Sequence, residues 1–87
     1  MSSQQKEIPR SVMADKFIEL ANEFTITESK ERVGAAIMFA AARYNAFEAY
    51  SKSKDLKKDK GDALTWYGQE YKRMFDANVE DLIGTQI

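Results

Sequence analysis

Arg43, Asn45 and Glu48 break into an otherwise small or apolar run, "AAIMFAAARYNAFEAY", from Ala35 to Tyr50. A guanidinium, an amide and a carboxylate so close together can contact a ligand or a partner, or can tie neighbouring helices to one another. On a helix Arg43 and Asn45 lie about 160° apart, so this segment alone cannot bring both to one small pocket. Arg43 suits a stem laid on Tyr or Phe with its fork on a carboxylate of another helix, and Glu19, Glu23, Glu70 and Asp76 are the candidates. Asn45 and Glu48 sit about 60° apart and can bond polar groups of a first or third helix. Asn22, Asn45 and Asn78 fall one per helix on or beside apolar stripes, where they could form a buried amide network. We read Arg43, Asn45, Asn22 and Asn78 as buried structural groups, because a buried polar group must be hydrogen-bonded and so fixes register.

Other chemistries find little support. The chain has no His and no Cys. That removes the commonest general base, the commonest transition-metal ligand and any thiolate or disulfide. Glu19 with Glu23, and Glu28 with Glu31, could share a helix face, but a di-iron bundle also needs His beside its carboxylates. Nothing singles out one acid pair for hydrolysis. "TESK", Thr27 to Lys30, has Ser-Lys chemistry in outline, yet it reads as a helix start. The expectation is no metal, no cofactor and no enzyme, with carboxylate or Lys chemistry kept as a remote alternative. A second alternative is a nucleic-acid module using the Lys52–Lys60 tract with Trp66 and Tyr67 for stacking. Asp55, Asp59 and Asp62 cancel much of that field, and the chain's net charge is −1.

The elements that must position these residues are helices. Eighty-seven residues make one domain at most, and one Pro with four Gly leaves few breaks. Met13, Phe17, Leu20 and Phe24, widened by Ala14, Ile18 and Ala21, mark an amphipathic helix after Pro9, with Ser11 as its expected cap. Residues 1–8 read as a flexible tail. Thr25, Thr27 and Ser29 can each cap a second helix, Thr25 forming a capping box with Glu28, and the β-branched Thr25-Ile26-Thr27 run favours an extended link. The second helix spans about 28–51. Val33, Ile37, Ala40, Tyr44 and Phe47 share its bulky face, while Ala35, Ala42, Ala46 and Ala49 make a small-residue face. Such a helix is expected to be buried nearly all round. Residues 51–62 read as a solvated connection, with room for a helical turn around Leu56. The third helix spans 62–84, with apolar residues at Leu64, Tyr67, Tyr71, Met74 and Leu82, Phe75 and Val79 beside them, and Gly84 as its C-cap.

Three stretches carry a resemblance: "FIELAN" at Phe17–Asn22, "AAARYNAF" at Ala40–Phe47, and the tail from Gln69 to Ile83. Together they resemble a family of short bacterial proteins known as domain of unknown function 3144, over about residues 11–83. The tail departs from that pattern in having Gln69-Glu70 in reversed order. The resemblance implies a compact all-helical bacterial protein and brings no activity.

The resulting expectation is an all-α, three-helix domain over residues 9–87, in which helices 2 and 3 form an antiparallel hairpin and a shorter helix 1 packs across it. Helix 2 is apolar over more of its surface than two neighbours need. A homodimer is therefore expected, with Ala35, Ala42, Ala46, Ala49 and Trp66 as interface residues. The functional expectation is a structural or protein–protein interaction module. No apolar run reaches the length of a membrane span and the first ten residues lack a signal-peptide core, so a cytoplasmic location is expected.

Overall fold

The computed structural model describes residues 7–86 and contains three helices: α1, Arg10–Phe24; α2, Lys30–Lys52; and α3, Leu56–Thr85. Among the described residues there is no strand. The fold is all-α, as the periodicity requires. Most of the tail expected over residues 1–8 lies outside the described residues; residues 7 and 8 are exposed and have no regular structure. Among the described residues no helix is long and apolar enough to cross a membrane.

Local chemistry sets the boundaries, and several differ from expectation. Pro9, not Ser11, precedes the first turn of α1, and it accepts from the Val12 and Met13 amides at 3.0 and 3.2 Å through its carbonyl. Pro has no amide to leave unpaired at that position, and its fixed φ suits helix entry. The Thr25–Thr27 link is not extended. Thr25 has helical angles, and the amides of Ile26, Thr27 and Glu28 still bond back to Glu23 and Phe24. The Thr25 hydroxyl also donates to the Asn22 carbonyl at 2.7 Å, so it closes α1 and does not open α2. Of the three candidate caps Ser29 serves: its Oγ accepts from the Arg32 amide at 3.1 Å. Gly84 lies inside α3, whose C-cap is Gln86.

The largest difference is at residues 51–62. The connection is only Ser53-Lys54-Asp55, and the lysine-rich stretch forms the first turns of α3. Asp55 caps that helix, with Oδ1 accepting from the Lys58 amide at 3.3 Å. Ser53 Oγ donates to Asp59 Oδ2 at 2.6 Å and accepts from the Asp55 amide at 3.0 Å. Two of the three aspartates that looked like solvent-facing counter-charges thus close a tight turn. A turn this short forces α2 and α3 to run antiparallel as neighbours.

The chain divides into two compact units, Met1–Ala41 and Ala42–Ile87, and α2 runs unbroken through the division. In the first unit the buried residues are Ala21 on α1 and Val33 on α2, at 9% and 7% exposure. The second unit is the α2–α3 hairpin, and none of its described residues is buried. Helix 2 is enclosed within neither unit: Ile37, Met38 and Phe39 are exposed in the first, and Tyr44, Phe47 and Tyr50 in the second.

Replacing Asp55 by Ala removes the α3 cap. A loss of about 1 kcal/mol and a fall in Tm of about 4–8 °C are expected. Asp62→Ala, which touches no cap, serves as the control; equal melting of the two variants would contradict the assignment of Asp55.

Candidate interaction surface

The polar residues that opened the sequence do not converge. Asn45 Nδ2 donates to Glu48 Oε1 at 2.7 Å, and the Tyr67 hydroxyl reaches the same oxygen from α3 at 3.4 Å. Asn45, Glu48 and Tyr67 are half-buried, and they form the polar contact at the crossing of α2 and α3. The ability of Glu48 to bond helix 3 was legible in the sequence; Tyr67 as its partner was not, because an apolar stripe gave no reason to single out one hydroxyl. Partial desolvation raises the Tyr67 phenol above its ordinary range, and the charge and hydrogen bond of Glu48 push it the same way.

Arg43, Asn22 and Asn78, expected to be buried, are exposed in the single chain. Arg43 forms no ion pair among the described residues, and Glu70 pairs with Arg73 on its own helix. The amide of Asn78 donates to the Met74 carbonyl at 2.8 Å, while that of Asn45 is committed to Glu48. Within the second unit, Asn45 and Asn78 therefore do not bond to one another. The ion pairs among the described residues, Lys16–Glu19, Arg32–Glu28 and Arg73–Glu70, each join residues three or four apart on or beside one helix. Pairs of this kind, with at least one partner well exposed, add little to stability.

Apolar surface is what the second unit presents. Its half-buried positions are Asn45, Glu48 and Ala49 on α2, Ser53 in the turn, and Leu56, Ala63, Tyr67 and Glu70 on α3. Those on the two helices face across the hairpin. Ala42 and Ala46 are exposed, and they lie about 70–110° round α2 from the direction of α3. Leu64, Tyr71, Phe75 and Leu82, 52–65% exposed, lie about 70–110° round α3 from the direction of α2. Right-handed helices that run antiparallel carry these two rows to the same side of the hairpin. One surface therefore pairs an alanine strip with a row of large side chains. Ala49 is half-buried at its inner edge, and exposed Ala35 belongs to the first unit.

Trp66, grouped with the alanines in the sequence, is on the opposite side. Its ring stands edge-on to Tyr67 at 4.9 Å, with Tyr44 and Phe47 on that side of α2. A depression along α3, lined by Tyr71, Lys72, Phe75, Asp76 and Val79 among others, is made by one helix alone and is open to solvent. Among the described residues no three His, Cys, Asp or Glu side chains are placed to hold a metal ion.

The phenol shift sets a pH dependence. A raised folded-state pKa means that the unfolded chain loses the Tyr67 proton first, so this contribution is present below pH ~10 and fades as pH rises above it. The stability difference between wild type and Tyr67→Phe should shrink from pH 9 to pH 11 in denaturant titrations. Parallel curves across that range would show that the fold does not hold the phenol above its ordinary range.

No curated protein and no solved structure matches the chain. The family model described as "Protein of unknown function (DUF3144)" matches residues 12–83. The exposed helical surface described above thus belongs to a member of the DUF3144 family, and the chain is one of its proteins.

Proposed function

We propose that this chain is a non-enzymatic interaction module that completes its hydrophobic core by associating with a second copy of itself. One observation carries the reading. Among the described residues two side chains are buried, Ala21 and Val33, while 22 large apolar side chains are exposed. Ordering a residue costs about 1–2 kcal/mol, and burying a large apolar side chain returns about 1.5–3 kcal/mol. Two small buried residues cannot offset the ordering of three helices, so the missing burial has to come from another surface. Isolated exposed apolar residues need no explanation, but contiguous apolar faces of this extent mark contact surfaces.

The lysine tract fits this reading without a nucleic-acid role. Asp55 and Asp59 are used in the turn, and Lys57, Lys58 and Lys60 are the exposed polar face of a helix start. The reading also takes residues 9–87 as one working domain of a bacterial cytoplasmic protein, since α2 is continuous through both units.

Association that completes the core makes melting depend on protein concentration. The Tm should rise over a hundredfold increase in concentration; an invariant Tm would contradict the proposal. Two alanine variants locate the surface. Ala42→Leu adds bulk to an exposed strip and should weaken association. Ala63→Leu adds it where α3 faces α2 and should cost about 1–3 kcal/mol of hairpin stability instead. If Ala42→Leu left the concentration dependence unchanged, the alanine strip would be excluded from the contact.

A further inference from the structure

The exposed row on α3 is distinguished by the side chains it carries at regular spacing. Leu64, Gly68, Tyr71, Phe75, Asn78 and Leu82 alternate steps of four and three, the repeat of a coiled-coil seam. This seam is separate from the face turned to α2, and all six residues are exposed. The spacing reads the same in both directions about Arg73. Turned end for end on itself, the row sets Leu64 against Leu82, Tyr71 against Phe75 and Gly68 against Asn78.

Two further observations fit that arrangement. Gly68 costs a helix interior about 1 kcal/mol relative to Ala, yet its backbone takes no positive φ and a Cβ there would meet nothing within 4 Å. Nothing in the single chain calls for a glycine. A close approach by a second helix at that point would, and an Asn opposite it supplies the single polar seam position that sets register. The charges are also polarised. Within α3, residues 56–62 carry Lys57, Lys58 and Lys60 against Asp59 and Asp62, with Lys52 and Lys54 beside them at the turn, whereas residues 76–86 carry Asp76, Glu80 and Asp81 and no base. Acidic charge at the end of a helix opposes the macrodipole, and nothing basic in the last turn of α3 offsets it. Side by side in opposite directions, two such helices place each basic end beside an acidic one. Placed in the same direction, they put like charges together.

We infer that α3 pairs antiparallel with α3 of a second copy along the Leu64–Leu82 row, about a two-fold axis near Arg73, with the hairpin turns at opposite ends. This rests on the self-association proposed above. Such an interface is isologous, as a two-fold requires.

The native chain has no cysteine, so one introduced thiol carries a spin label cleanly. Lys60→Cys and Lys72→Cys place labels on exposed sites far from and near to the axis. Pulsed dipolar spectroscopy should give roughly 40 Å between the two Lys60 labels at 1.5 Å per residue, and under roughly 20 Å between the two Lys72 labels. Short distances at both sites mean parallel pairing, and long distances at both mean another face; either overturns this inference and leaves self-association standing. A chain of single mass with no dipolar coupling at either site, as when α1 covers the row, overturns both.

Discussion

Two helices can cover one face of each other and no more. That limit governs the second unit, where the α2–α3 seam uses Asn45, Glu48, Ala49, Leu56, Ala63, Tyr67 and Glu70 and leaves the rest of both helices to be covered by something else. The chain nevertheless carries apolar residues well beyond that seam. Alanines flank it on α2, large side chains flank it on α3, and Tyr44, Phe47 and Trp66 stand on the far side. A helical pair of fewer than fifty residues has too little interior to hold itself in one arrangement by burial alone.

What the hairpin lacks in core it gains in local definition. Ser53 and Asp59 lock the turn, Asp55 caps the helix that follows, and Glu48 collects Asn45 and Tyr67 at the first crossing beyond it. These contacts fix how α2 meets α3 and involve few apolar atoms. The ion pairs between described residues are local, so they support individual helices and say little about which surfaces meet. Orientation inside the hairpin is set by polar groups near the turn, and the apolar faces remain available for contact.

The three helices were legible because apolar spacing at three and four residues persists through each of them. The start of α3 was legible only as a single turn around Leu56, not as part of the long helix. Lys and Asp alternating over residues 52–62 look like a solvated loop, since a helix turn exposed on all sides has no hydrophobic period to reveal it. The readable sign was Asp55 three residues before Lys58, a cap spacing hidden among other aspartates. The Thr25–Thr27 link misled in the other direction, because β-branching disfavours helix only weakly and the chain there continues helical bonding. Burial was the least legible property. A wheel shows which faces of α2 are apolar but not what covers them, so a reading of Arg43, Asn22 and Asn78 as buried does not match their exposure. Trp66 was grouped with the alanines on type alone; the hairpin geometry separates them.

The central claim is that the uncovered faces meet a second copy. Sedimentation equilibrium of the wild-type chain at micromolar concentration tests it most directly. The account predicts a mass of two chains, each of 9.9 kDa, dissociating on dilution in a single equilibrium. A mass of one chain, unchanged up to millimolar concentration with the helices intact by circular dichroism, would contradict it.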